Sequence, residues 1–119
     1  MMMFIKKFRN TSLAAGPDPG FELTVADTLF TRFMGLMFKT GLPPGQGMLI
    51  KNCNWVHTFC MRFSIDVLYL DAGFTVVAIK HLAPFRLSLP VPGAVQVVEL
   101  KAGSAGHHGI AAGDRLVTG

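Results

Sequence analysis

Alternation opens the pattern of the chain: Phe21, Leu23 and Val25 are separated by Glu22 and Thr24, the period of two that a half-buried strand requires. A different period follows it. Leu29, Phe30, Phe33, Met34, Leu36 and Met37 recur at three- and four-residue spacing behind Asp27, whose carboxylate suits the free amides of a first helical turn. One main α-helix is therefore predicted over residues 27–38. Pro43, Pro44 and the glycines around them then impose a connecting loop.

Downstream, residues 48–50, 56–61, 65–70, 74–79 and 95–100 are short runs rich in β-branched and aromatic side chains, and each reads as a strand. Asp71-Ala72-Gly73 joins two of them at hairpin length. Pro84, Pro90, Pro92 and Gly93 exclude a regular strand from 83 to 93, which reads as a long rim loop. Upstream, residues 5–10 suit a first strand and 14–20 a turn. Near the end, 104–109 suits one helical turn and 115–118 a last strand. The expected fold is mainly β (β-rich α+β): a small antiparallel sandwich or partly closed barrel with one main helix. Parallel βαβ architecture is not expected, because crossover helices are too few.

Composition adds limits. The chain has 119 residues, half of them apolar and 15% charged, which suits one folded core. We divide it into an N-terminal arm, or first strand and turn, over 1–20 and a single domain over 21–119. The net charge is +4, but Lys6, Lys7 and Arg9 hold three of the eleven basic residues and the rest are scattered singly, so there is no basic stripe and no nucleic-acid partner is expected. No apolar run is long enough for a transmembrane helix, and no secretory signal is visible, so a cytoplasmic location is expected. Cys53 and Cys60 then read as free thiols.

Candidate chemistry gathers between Cys53 and Asp66. Cys53, His57 and Cys60 suggest soft metal ligands, yet their spacing matches no common finger and a fourth ligand must come from afar, so no metal and no cofactor is expected. If residues 57–62 are extended, His57, Phe59 and Met61 share one face and Thr58, Cys60 and Arg62 the other, which separates His57 from Cys60. Arg62 and Arg86 offer planar forks of donors suited to a carboxylate or phosphate, unless Asp66 or Glu99 occupies them within the fold. His107-His108 reads as an exposed turn.

The ordered series Arg32-x2-Gly35-Leu36-Met37, Gly47-Met48-Leu49-Ile50, Val56-His57-Thr58-x2-Met61-Arg62-Phe63-x-Ile65-Asp66-Val67, Pro84-x-Arg86, Val98-Glu99-Leu100-x-Ala102-Gly103 and Gly113-Asp114 resembles the domain of unknown function 192 family from about residue 21 to 117. The resemblance implies a mainly β fold and no established activity. It implies export or lipid anchoring for many members, and another form of the family replaces the His-Thr-x-x-Met-Arg stretch, which argues against an obligatory catalytic His57. Two departures stand out: Ser64 where proline is usual, and Cys60 where glycine is often found.

The leading expectation is a binding domain for a small anionic ligand or a peptide carboxylate, with a shallow polar site of His57, Thr58, Arg62, Asp66 and Arg86. Two alternatives stand beside it. One is a small hydrolase or transferase using His57 with Asp66 or Cys53. The other is a purely structural polar network that fixes strand register.

Overall fold

The computed structural model describes residues 2–7, 20–26, 41–43 and 45–118. The helix expected over 27–38 lies outside them. Among the described residues, seven strands and one short helix follow in chain order: β1 (Met2–Lys7), β2 (Phe21–Ala26), β3 (Gln46–Lys51), β4 (Ile65–Leu70), β5 (Val76–Leu82), β6 (Gln96–Lys101), α1 (Ser104–His107) and β7 (Leu116–Thr118). They form one sheet in the order β5-β4-β6-β3-β2-β1-β7. The chain is mainly β, as its short apolar runs require.

Neighbouring strands are antiparallel except β2 and β3, which pair in parallel from Glu22 opposite Gln46 to Ala26 opposite Ile50. The parallel pair is the one exception, among the described strands, to the antiparallel pairing expected of the fold. A parallel pair needs a crossover of a dozen residues or more, and the connection 27–45 is long enough to provide a single one. The two edges of the sheet also meet. Thr75 bridges Arg115, with Val76 N–H donating to Asp114 O (2.8 Å) and Leu116 N–H to Phe74 O (2.9 Å). The result is a partly closed barrel.

Strand alternation distributes the apolar side chains over two cores. Leu23, Leu49, Leu68, Leu70, Val98 and Leu100 belong to the one inside the sheet's curve, where Ala105, Ile110 and Leu116 close one end. Met48, Ile50, Ile65, Val67, Tyr69 and Val97 point to the other face, where Val56, Met61, Val91 and Ala94 cover them. β4 is consequently buried along its whole length, and its sequence is nearly continuous in apolar residues. Gly47 marks the tightest point: a β-carbon there would lie 2.6 Å from Glu99 O and 2.6 Å from Leu100 Cδ2.

The hairpin between β4 and β5 forms as its sequence demands. Asp71 Oδ1 accepts from Gly73 N–H and Thr75 N–H, each at 2.9 Å, an Asx turn that fixes the bend. Residues 56–61, expected as a strand, do not form one. They belong to a loop, 52–64, that crosses the second core together with the loop 83–95.

Candidate functional site

The two loops are hydrogen-bonded to each other as an irregular antiparallel ribbon. Cys53 N–H donates to Val95 O (3.0 Å), Val91 N–H to Asn54 O (3.0 Å), Ser88 N–H to Val56 O (2.9 Å) and Thr58 N–H to Arg86 O (2.8 Å). His57 and Leu87 form the bridge at its centre. Prolines at 84, 90 and 92 remove amide donors at three positions, so the pairing is intermittent and the segment escapes a strand pattern.

Thr58 is the latch of this ribbon. Its buried hydroxyl donates to Ala83 O (2.6 Å) and accepts from Arg86 N–H (2.7 Å), while its carbonyl accepts from both Met61 N–H (3.2 Å) and Phe85 N–H (2.9 Å). The turn from Thr58 to Met61 carries Cys60 at φ 62° in its third position. A type II turn needs positive φ there, which favours glycine, and this is the physical reason a glycine suits that place. It also overturns the face assignment made for a regular strand: Phe59 turns out to solvent while Met61 is buried.

A second anchor lies deeper. Tyr69 on β4 donates its hydroxyl to Ser88 Oγ (2.5 Å), which also accepts Val56 N–H (3.1 Å). Burial raises the Tyr69 pKa, the Ser88 bond opposes that, and Cys53 and Glu99 add smaller electrostatic increments upward. Glu99 shares the second-core face by alternation with Val97. Its Oε2 is buried with no hydrogen-bond partner, and burial pushes its pKa from 4.5 up to about 8. Burial thus favours the protonated, neutral carboxyl. Sequence reasoning treated Glu99 only as a counter-ion for an arginine. The signal was its place in Val97-Val98-Glu99-Leu100, where flanking burial leaves a charge no solvent.

The five expected site residues are divided by the fold. Asp66 faces the inner core, where Oδ2 accepts Ala105 N–H (2.9 Å) and so caps α1, and Oδ1 lies 2.9 Å from Nδ1 of exposed His81. Alternation along β4 is the cause, since Asp66 follows the face of Leu68 and Leu70. The His57–Asp66 pairing considered for catalysis is thus replaced by His81–Asp66. Cys53 directs its thiol to Trp55 O (2.7 Å). Thr58 is spent on the latch. Arg62 and Arg86 are exposed, no described carboxylate pairs with either, and the latch holds their backbones within one residue of the Thr58 bonds.

Around them the surface is apolar. The ring of His57 lies 6.2 Å from that of Trp55 and 5.3 Å from that of Phe59, so the three line one side of the ribbon. Phe85, Leu87 and Leu89 are exposed at alternate positions of the opposing segment. An open depression of about 350 Å³, lined by Asn52, Cys53, Asn54, Ala94 and Val95, lies at the base of the ribbon and includes none of the five expected residues. Among the described residues no group of three His, Cys, Asp or Glu is placed to hold a metal ion. His108 is half-buried, its ring 4.2 Å from Phe21, whereas His107 is exposed.

Fold and ribbon together define a small, mainly β domain, a partly closed barrel with one face under a latched pair of loops. The chain belongs to the domain of unknown function 192 family, described as Uncharacterized ACR, whose model matches residues 11–118. It is 32% identical over 102 residues to the UPF0127 protein of Thermococcus sibiricus, an alignment covering 80% of this chain and 64% of that protein. It is 34% identical over 85 residues to a UPF0127 protein of Pyrococcus horikoshii, covering 66% and 70% respectively. A crystal structure of a Sinorhizobium meliloti protein, provisionally named a transcription regulator, matches with a TM-score of 0.84 over 99% of this chain and 94% of that one. At 21% identity that likeness shows the fold alone.

Proposed function

We propose that this protein is a binding domain that captures an anionic group, a carboxylate above all, between Arg62 and Arg86 on the loop ribbon. One observation carries the reading: both arginines are exposed, no described carboxylate pairs with them, and Thr58 bonds Arg86 N–H and the N–H of Met61, the residue before Arg62. Residues 52–65 and 83–95 contain these two arginines and no acidic residue. A planar fork facing solvent is poised for bidentate bonds to a carboxylate, and the ordered backbone lowers the entropy lost on binding. Thr58 acts as the positioning residue and His57 borders the site. Asp66 takes no part.

Trp55 is the chain's single tryptophan, so its fluorescence reports on the ribbon alone. Titration with N-acetylglycine should give a saturable change that N-acetylglycinamide, which lacks the charge, does not. Replacing Arg62 and Arg86 together with methionine should weaken the response at least tenfold. Equal responses to acid and amide, or an unchanged response in the variant, would rule the proposal out.

A further inference from the structure

We infer that the outer side of the ribbon is a docking surface for a short acidic, apolar segment of a partner protein. This rests on the anion reading of Arg62 and Arg86 and names the kind of molecule that carries the anion. The His57–Leu87 bridge sets the register of the two segments, and the same register places Trp55 across from Leu89. Trp55, His57 and Phe59 line one segment through their ring contacts. Phe85, Leu87 and Leu89 line the other, at 61%, 55% and 71% exposure. Between them Val56, Thr58 and Ser88 face inward and are buried. The ribbon is thus two-sided, with an inner side fixed to the barrel and an outer side of aromatic and aliphatic groups in water.

Scattered apolar residues on a surface are ordinary, but here the large apolar side chains left exposed among the described residues, Val77 excepted, all lie on these two loops. A contiguous patch of this kind marks an interaction site. Its size selects the occupant. Five residues of extended chain span roughly 15 Å, and two such segments side by side present a few hundred Å² at most, well below the roughly 800 Å² per partner of a stable interface between folded domains. A short segment carrying two or three large side chains fits that area.

Charge decides the remaining choice. A second copy pairing ribbon to ribbon would bring Arg62 and Arg86 against their own counterparts, with no acidic residue in 52–65 or 83–95 to relieve them. An anionic bilayer offers about 1 kcal/mol per basic residue near its surface and is ordinarily held by clusters of four to eight, whereas the ribbon has two. A peptide that combines apolar side chains with one or two carboxylates matches both the ladder and the arginines.

The test uses the whole chain and a labelled, end-blocked hexapeptide alternating glutamate with phenylalanine and leucine, followed by anisotropy. Expected are saturable binding at least tenfold tighter than that of N-acetylglycine, and a loss of at least tenfold in the Leu87→Ser, Leu89→Ser double variant, whose substitutions lie at exposed positions. That variant should keep its N-acetylglycine response. The inference is overturned if the peptide binds no tighter than N-acetylglycine, if the double variant binds it normally, or if a lysine-for-glutamate peptide binds equally well. It is also overturned if the same variant abolishes a concentration-dependent dimer, or if the protein sediments with phosphatidylglycerol vesicles and ignores the peptide. Wild-type protein that shows no saturable response to N-acetylglycine sinks the anion reading. Wild-type protein that binds N-acetylglycine but not the peptide sinks the docking inference alone.

Discussion

At the scale of single residues, two positions combine backbone or burial with chemistry in ways that can be measured. Cys60 holds φ 62°, a conformation that costs an L-residue roughly 1 kcal/mol and a β-branched one more. Cys60→Gly should leave stability unchanged or raise it by up to about 1 kcal/mol, and Cys60→Val should lower it by about 1–2 kcal/mol, as chemical denaturation will show. Glu99 gives a pH signature. Its carboxyl takes a proton more readily in the folded chain, with a pKa moved from 4.5 to about 8, so the folded state binds more protons across that window. Stability is therefore greatest below the ordinary carboxylate range and falls as pH rises, until both states are ionised above about pH 8. The slope from this group is at most about 1.4 kcal/mol per pH unit. Thermal melts from pH 5 to 8 should show wild type losing more stability than Glu99→Gln. Parallel curves would mean that Glu99 is solvated. The sequence could not show this because the pKa depends on what covers β6, and the cover comes from loops distant in the chain.

At the scale of elements, much of the strand pattern was legible. Phe21 to Ala26 alternates and is a strand, and the Asp71-Ala72-Gly73 turn produces the antiparallel β4–β5 hairpin. Residues 56–61 were misread for a definite reason: they have strand composition, but their partner segment is interrupted by prolines, and Cys60 bends the chain away after Thr58. The parallel β2–β3 pair was missed because register between distant segments leaves no local trace. Thr58 was expected among the ligand-binding residues; its bonds show a latch, which single-sequence reading cannot distinguish from a binding hydroxyl. Thr58→Val keeps the shape and removes the hydroxyl, and should cost about 1–3 kcal/mol because Arg86 N–H and Ala83 O lose a buried partner. Amide hydrogen exchange should quicken across 83–91 more than across β4. At Gly47 there is no such local freedom: a methyl group would meet Glu99 O at 2.6 Å, so Gly47→Ala should destabilise the sheet by about 3 kcal/mol in urea unfolding.

At the scale of the whole molecule, the barrel and its ribbon divide the labour. Asp66 and the inner core hold α1 against the barrel end, while the Tyr69–Ser88 bond and Thr58 hold the ribbon against the other face. The proposed function rests on what remains outside, the two arginines and the apolar ladder. Fold class and family were readable from the order of short strands and the long series of motif matches. The candidate positions were only half readable, because alternation on β4 and the pairing of two separated loops decide which polar residues are spent within the fold. The most direct measurement follows the arginine side chains themselves: ¹⁵N-detected Nε–H resonances during titration with N-acetylglycine. Arg62 and Arg86 should shift together and saturate at one ligand concentration while Arg115 stays in place; shifts spread evenly over all arginines, or none that saturate, would rule out capture between the two.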